Sequence, residues 1–171
     1  MKHPYLQGQA DSLCSVYSLV NASRLVNNLT IDETQLVFNE TIRFLSKKRK
    51  LAETLIEGVK HRDMLQMMHN IVGDKFQWKI SGNGFQKLSI WWDFAVSFLK
   101  ENNRSVIIVS FGGMQDHLSV IQSMTNKTML LFDSSQIRTI RKSSCRLQGY
   151  PKDDHYVVYP SQSFLCWKTD P

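Results

Sequence analysis

Cys14 is the residue of this sequence with the clearest potential for covalent chemistry. It follows the polar segment QGQADS, residues 7–12, and lies at the start of an apolar run with helical spacing. At a helix N-terminus, unpaired backbone amides and the positive end of the helix dipole stabilise a thiolate. The position therefore has two interpretations: a thiol nucleophile, or a small buried residue on an amphipathic helix.

A thiol nucleophile requires a base, a group that orients the base, and hydrogen-bond donors for the oxyanion that forms on the substrate. His117 and Asp133 have the chemistry of the base and of the orienting acid. The backbone amide of Cys14 and the side chain of either Gln7 or Gln9 are the candidate oxyanion donors. Taken singly, His117 is also a plausible strand-end histidine and Asp133 an ordinary turn residue, so the hypothesis depends on their combination.

His117 and Asp133 stand at the outer ends of two apolar runs, HLSVIQS and MLLFD, which predict a β-hairpin. A three-residue loop at residues 124–126 places His117 opposite Asp133, with their Cβ atoms about 4.5–5.5 Å apart. A two-residue loop at Asn126 and Lys127 instead places Val120 opposite Asp133, which separates the acid from the histidine by about 10 Å along the strand. The sequence leaves both registers open.

His155 is the main competitor for the role of the base. It also opens an apolar run, DDHYVVY, but no acid closes a partnering strand after it, and we therefore favour His117. Cys145 lies in a basic, serine-rich stretch and Cys166 in the aromatic segment FLCW. Neither of these cysteines opens a predicted helix, so we interpret both as structural. Three further histidines lack a strand and a following acid: His3, His61 and His69.

The elements that must position these residues are predicted from periodicity and from helix-start and turn signals. Helices are expected at about residues 13–27, from a capping box at Thr30 and Glu33, at residues 62–72 and at residues 91–99. Strands are expected at residues 76–80, 105–111, 117–123, 129–133, 136–140 and 155–159. Helices first and an antiparallel sheet second indicate an α+β fold.

No linker or internal repeat divides the chain, so we expect a single domain over residues 1–171, with a helical half over about 1–103 and a sheet half over about 104–171. Its 171 residues, 42% hydrophobic and 11% aromatic, are enough for a substantial core. Trp91 and Trp92 are candidates for a substrate cleft, but at the start of an amphipathic helix they are expected to lie in that core.

Charge and composition restrict the partners of the protein. The formal charge of +6 favours anionic partners, but the basic run KKRK at residues 47–50 has no interleaved aromatics, so we interpret it as a solvated helix end and not as a nucleic-acid or lipid patch. Three cysteines at irregular spacing leave at least one thiol free and predict neither a disulfide framework nor a four-ligand zinc site. No phosphate loop is present, because Gly82-Asn83-Gly84 lacks the motif that follows, and no cofactor is expected.

The sequence also carries no membrane-length apolar run and no apolar leader segment. We therefore expect neither a membrane span nor a secretory leader. A cytoplasmic location, or delivery by a leaderless secretion route, is the corresponding expectation.

The segments CSVYSLVNA at Cys14, DHLSVI at His117 and LLFDSS at Asp133, preceded by the glutamine-containing QGQ, together resemble the papain-like cysteine peptidases. The resemblance is closest to the bacterial C39-like branch, in which Cys, His and Asp occur in the same chain order. It implies a papain-like fold, with the nucleophile at the start of a helix that packs on an antiparallel sheet. It also implies a Cys14, His117 and Asp133 triad with a glutamine in the oxyanion hole.

Three positions depart from the pattern of that family. The oxyanion glutamine usually stands six residues before the cysteine, where this chain has Gly8, with Gln7 and Gln9 on either side. Ser15 replaces the glycine that commonly follows the cysteine, and Ser134 replaces the proline that often follows the acid. These departures indicate a remote relative of the family and leave open which glutamine serves.

Three functions follow as hypotheses. The first is a cysteine peptidase that hydrolyses a peptide or isopeptide bond of a peptide or protein substrate through an acyl-enzyme. The second keeps the same site but resolves the acyl-enzyme differently, as a deamidase, transglutaminase or acyltransferase. The third is a papain-like binding module of the toxin or effector type, which recruits its target through a basic surface.

Overall fold

The computed structural model describes residues 2–73, 75–147 and 154–168. Within these residues the protein has an α+β fold, with helices mainly in the N-terminal half of the chain and strands mainly in the C-terminal half. This confirms the predicted fold class at that level. Residues 1, 74, 148–153 and 169–171 of the predicted domain lie outside the described residues.

The described residues form five α-helices, one π-helical turn and eight strands. The helices are α1 Cys14–Val26, α2 Ile31–Lys47, α3 Leu51–Glu57, α4 His61–Met67 and α5 Leu88–Glu101, with the π-helical turn Met68–Val72 continuing α4. The strands are β1 Gln77–Ile80, β2 Val106–Gly113, β3 His117–Met124, β4 Thr128–Leu131, β5 Thr139–Arg141, β6 Cys145–Leu147, β7 Tyr156–Val158 and β8 Phe164–Trp167.

The order of strands in the sheet is β1-β8-β2-β3-β4-β5, and β7 also pairs with the far end of β2. These pairings are antiparallel, whereas the pairing of β6 with β7 is parallel. Strand β2 is therefore central, since it contacts β3, β7 and β8. The hairpin of β3 and β4, which carries His117, lies directly beside it.

Two hydrophobic clusters enclose the sheet. Helix α1 packs with α2 and with even-numbered residues of β2 such as Ile108, and α5 packs with odd-numbered residues such as Val109. The alternation follows the two-residue period of a strand whose faces are both buried. Trp91 and Trp92 are fully buried in the second cluster, which confirms that they belong to the core.

Several element boundaries differ from the sequence-based expectations. Helix α3 and strands β6 and β8 were not predicted, and α5 begins at Leu88, three residues before the expected start. The strand expected at residues 136–140 begins only at Thr139, because Gln136, directly after the turn at residues 134–135, has a φ of 66°, outside strand geometry. The other predicted helices and strands are present with shifts of a few residues at their ends.

The capping box that opens α2 is formed as predicted. The Thr30 hydroxyl accepts a hydrogen bond from the Glu33 amide, and the Glu33 carboxylate accepts one from the Thr30 amide. The basic run after α2 is a turn into α3, in which Lys47, Lys48 and Arg49 are exposed. Among the described residues, no helix combines the length and the apolar character needed to cross a membrane.

Candidate active site

Cys14 is the first residue of α1, as expected from the sequence. The first helical amide that bonds back into the helix is that of Tyr17, which donates to the Leu13 carbonyl at 3.0 Å. The amides of the first turn, which come before Tyr17, therefore have no acceptor within the helix and point out of the end at which Cys14 lies. This end carries the positive pole of the helix dipole, which favours a thiolate.

The loop before Cys14 is held by side-chain and backbone hydrogen bonds, but neither Asp11 nor Ser12 is the N-cap residue of α1. The N-cap residue is Leu13, which makes no side-chain cap bond. Asp11 instead accepts from the amides of Leu13, at 3.0 Å, and Gly8, at 2.8 Å. Ser12 contacts the C-terminal end of α3, since its amide donates to the Leu55 carbonyl at 3.0 Å.

His117 and Asp133 form a buried pair. His117 Nε2 lies 2.6 Å from Asp133 Oδ2, and the two residues are 4% and 2% exposed. The second carboxylate oxygen of Asp133 accepts hydrogen bonds from the amides of Ser135, at 2.7 Å, and Ile137, at 3.1 Å. The turn after β4 thus fixes one oxygen of the acid and aims the other at the imidazole ring.

The strand register that produces this pair differs from both predictions. The loop is the two-residue loop at Asn126 and Lys127, closed by a hydrogen bond from the Thr125 amide to the Thr128 carbonyl at 2.8 Å. A β-bulge at Gln122 then shifts the pairing by one residue, so that Ile121 pairs with Leu131.

Asp133 consequently does not face His117 directly, as it would with the three-residue loop, and it does not face Val120, as it would with an unbulged two-residue loop. The amide of Phe132 donates to the carbonyl of Val120 at 2.8 Å, which continues the shifted register and places Asp133 opposite Ser119. His117 is then the diagonal neighbour of Asp133, and a diagonal neighbour on the same face is within reach of a long side chain. The acid and the histidine therefore meet across the hairpin despite the change of register.

The Cys14 thiol and the His117 ring lie close enough for each to shift the pKa of the other. Because Asp133 occupies Nε2, Nδ1 is the ring nitrogen that remains for the thiol. The structure thus brings together the three residues that the sequence singled out, from the start of α1, the start of β3 and the end of β4. The order of contacts is thiol, imidazole, carboxylate.

The electrostatics of the three groups favour charge separation. Burial raises the pKa of the Cys14 thiol, but its interactions with the His117 ring and with the Leu118 backbone outweigh burial, so that this pKa lies below its ordinary value. Burial also disfavours a charged ring, but hydrogen bonds to Asp133 and Cys14 raise the pKa of His117 to about 9. For Asp133, burial is outweighed by the hydrogen bond and charge of His117 and by the hydrogen bond from the Ile137 amide, and its pKa is lowered. These shifts favour the ionised forms of the thiol, the ring and the acid more than their ordinary pKa values would.

The environments of the other two cysteines, unlike that of Cys14, raise the pKa of the thiol. Cys14 is half-buried, whereas Cys145 and Cys166 are fully buried. Burial raises the pKa of Cys145 to about 12 and raises that of Cys166 still further above its ordinary value. Both environments stabilise the neutral thiol, which suits the structural role assigned to these residues.

The two candidate oxyanion donors, Gln7 and Gln9, differ in their burial and in their contacts. Gln7 is half-buried and its amide donates to the Ser134 carbonyl at 3.1 Å, beside Asp133. Its side-chain Nε2 donates to the Asp11 carbonyl at 2.8 Å, in the loop that leads to Cys14. A primary amide has two N–H groups, so a second donor is left on this nitrogen. Gln9 is exposed, and the contacts of the site therefore favour Gln7.

His155 also has a carboxylate neighbour, but of a different kind. Its Nδ1 lies 2.6 Å from Asp154 Oδ1, and the Asp154 side chain is 74% exposed. Its carbonyl accepts a hydrogen bond from the Met114 amide at the end of β2. The pair is local in sequence and open to solvent, in contrast to the buried pair of His117 and Asp133.

Sequence reasoning missed Ser119 and Ser12. Ser119 stands two residues after His117 on the same strand, so strand alternation could have placed it on the face of the site. The contact of Ser12 with α3 carries no such local signal. In residues 2–73, 75–147 and 154–168, no group of three or more His, Cys, Asp or Glu side chains is arranged to hold a metal ion.

Comparison of the chain with protein-family models, with curated proteins and with solved structures finds no match in any of the three. The resemblance to papain-like peptidases therefore rests on the quoted residues alone. The geometry of the site has to carry the functional argument.

Proposed function

We propose that the protein is a papain-like cysteine peptidase that cleaves a peptide or isopeptide bond through an acyl-enzyme. The observation that carries this proposal is the continuous set of contacts from Cys14 through His117 to Asp133, with the sulfur at a helix start. A nucleophile within hydrogen-bond reach of a base, itself oriented by a third group, is the arrangement that covalent acyl transfer requires.

In the first half of the proposed reaction, the Cys14 thiolate attacks the carbonyl carbon of the scissile amide and forms a C–S bond. The carbonyl oxygen becomes an oxyanion, for which the Cys14 amide and the free Nε2 proton of Gln7 are the proposed donors. When the C–N bond breaks, the His117 imidazolium gives its proton to the leaving nitrogen. A thioester remains on Cys14, and the amine product leaves.

In the second half, His117 is neutral and accepts a proton from a water molecule, whose oxygen attacks the thioester carbonyl. The C–S bond then breaks, the acid product leaves, and the thiolate and imidazolium are restored. Asp133 remains ionised throughout, because its pKa is lowered by the His117 ring and by the Ile137 amide. Its role is to hold the tautomer and the orientation of His117.

Digestion of a complex peptide mixture by the purified protein, followed by mass spectrometry of the products, tests this proposal. The wild type is expected to give new termini, and Cys14→Ala is expected to lose at least about 10⁴-fold in rate, because no nucleophile remains. Cys145→Ala is the matched control, since it removes a buried thiol away from the site, and it should cleave like the wild type.

The masses of the products also distinguish the related reactions. Cleaved backbones support the peptidase, whereas glutamine side chains converted to glutamate, or joined to an added amine, point to deamidation or acyl transfer by the same thiol. Cleavage that persists in folded Cys14→Ala, with the same termini and rate, would contradict the proposal. Unchanged peptides with the wild type would contradict it as well.

A further inference from the structure

The segment of residues 2–7, here called the N-terminal strap, lies along α1 from its C-terminal end to its N-terminal end. At one end, Lys2 Nζ donates to the carbonyl of Leu29, at 3.3 Å, and to the side chain of Asn28, at 2.6 Å, just beyond the last turn of α1. At the other end, the Gln7 amide donates to the Ser134 carbonyl. The strap therefore connects the far end of the helix to the candidate oxyanion donor.

Asn21 fixes the middle of this strap. Its Oδ1 accepts a hydrogen bond from the Tyr5 amide at 2.8 Å, and its Nδ2 donates to the Tyr5 carbonyl at 3.1 Å. The side-chain amide thus bonds both backbone groups of one residue, as a neighbouring strand would. Asn21 is fully buried on α1, among apolar residues such as Val20 and Ala22.

The cost of burying a primary amide points to a specific role. An unbonded amide in an apolar environment is destabilising by several kcal/mol, so a buried asparagine is tolerated where its hydrogen bonds are made. These two hydrogen bonds of Asn21 go to the strap backbone and neither goes to α1 itself. The position of Tyr5 along the helix is therefore set by Asn21.

Gln7 stands two residues after Tyr5, and two residues of extended chain span at most about 7 Å. A displacement of Tyr5 is consequently transmitted to Gln7 with little slack. Oxyanion donors act only within about 2.7–3.1 Å of the developing charge, so a small displacement is enough to lose their effect.

We propose that Asn21 is a positioning residue: it holds the register of the strap so that the Gln7 side chain reaches the oxyanion. This inference rests on the proposed function, because it assigns Gln7 its role in that reaction. Asn21 itself touches neither substrate nor the reacting atoms. Its substitution should therefore act on turnover through Gln7 and leave the thiol, the imidazole and the acid in place.

A double-mutant cycle with Asn21→Ala and Gln7→Ala tests this coupling. Gln7→Ala is expected to lower kcat about 10²-fold, the usual effect of removing one oxyanion donor. Asn21→Ala is expected to lower kcat about 10- to 100-fold with a smaller change in KM. The combined variant should be no slower than Gln7→Ala alone, because the two residues act as one unit.

Two further measurements need no substrate. Hydrogen exchange should become faster at the amides of Tyr5 and Gln7 in Asn21→Ala, since the Tyr5 amide loses its acceptor and the loosened strap no longer holds the Gln7 amide against the Ser134 carbonyl. The pH profile of Cys14 alkylation should stay as in the wild type. The matched control is Asn102→Ala, which removes one side-chain hydrogen bond, to the Phe98 carbonyl at the end of α5, and should change neither kcat nor Gln7 exchange.

Asn21→Asp is the second test variant and replaces Asn21→Ala if that protein does not fold. It keeps the size of the side chain and the acceptor for the Tyr5 amide but loses the donor to the Tyr5 carbonyl, so we expect faster Gln7 exchange here as well. Unchanged Gln7 exchange in either folded variant, or losses of Asn21→Ala and Gln7→Ala that multiply in the combined variant, would overturn the inference. Absence of turnover in the wild type would instead contradict the proposed function, while the exchange measurements still decide whether Asn21 holds Gln7.

Discussion

Replacing Asp133 with asparagine should abolish the tendency of His117 to stay charged above neutral pH. Hydrogen bonding to Asp133 is the strongest of the influences that raise the pKa of this ring, and burial opposes it. In Asp133→Asn the opposing effect of burial remains while the carboxylate charge is gone. The pKa of His117 should then fall to its ordinary value of 6.5 or lower.

The size of the effect follows from linkage between proton binding and folding. A rise of the His117 pKa from 6.5 to about 9 corresponds to at most about 3 kcal/mol of folding free energy. The folded protein holds this proton more tightly than the unfolded chain, so the stabilisation is fully present below pH 6.5 and is lost as the pH rises through about 9. Removal of the carboxylate should remove this pH dependence.

Cys14 complicates this measurement in the wild type. Its thiol also titrates and interacts with the His117 ring, so the pH dependence of the wild-type stability reports the pair and not His117 alone. The experiment is consequently performed in Cys14→Ala, where only the pair of His117 and Asp133 remains.

Urea unfolding of Cys14→Ala between pH 6 and 8.5 is the assay. We expect the free energy of unfolding to fall with pH by about 1–3 kcal/mol, because the proton bound by His117 is lost. Adding Asp133→Asn should make the profile flat or slightly rising. Adding Asp154→Asn is the matched control, since it removes an acid that contacts a histidine in an exposed pair, and it should leave the slope unchanged. Parallel profiles with and without Asp133 would refute the reasoning.

Two other predictions test the site and the sheet that supports it. Iodoacetamide at pH 7 should label Cys14 more than 100-fold faster than Cys145 or Cys166, because only Cys14 is half-buried with a lowered pKa. Peptide mapping by mass spectrometry measures the labelling of each cysteine. Earlier labelling of a buried cysteine would contradict the prediction. Gly112→Ala should destabilise the fold by about 1–3 kcal/mol, since the added Cβ would lie 2.5 Å from the Tyr159 ring. Gly112 follows Phe111, the last residue of β2 that pairs with β3. A melting temperature equal to that of the wild type would show that the ring moves away freely.

Local signals in the sequence were sufficient for the helix starts. The polar loop before Leu13 predicted that Cys14 begins a helix, and the spacing of Thr30 and Glu33 predicted the capping box, because both depend on residues within one helical turn. Helix α3 was missed because it is only seven residues long and follows directly on the basic run. Its contact with Ser12 is a tertiary one, which no local pattern encodes.

In the β3–β4 hairpin, His117 and Asp133 are in contact as predicted, although the strand register differs from both registers that were considered. Loop chemistry suggested two registers, and a bulge at Gln122 produced a third, in which Asp133 is diagonal to His117. A bulge depends on the packing of Ile121 and Met124 against neighbouring elements, which the sequence of the hairpin alone does not specify. The acid and the histidine still meet, because both direct and diagonal neighbours on one face are within side-chain reach.

The difference in burial between the pair of His117 and Asp133 and the thiol of Cys14 favours a functional role for these residues over a purely structural one. A buried ionic pair such as His117 and Asp133 rarely stabilises a fold more than apolar residues of the same size would. Here the pair is almost completely buried, yet it is continued by the half-buried thiol of Cys14, whose thiolate it favours. A structural network would be satisfied by its own internal contacts. This one instead supports a reactive sulfur at its more exposed end, and perturbed groups arranged in that way are characteristic of catalytic sites.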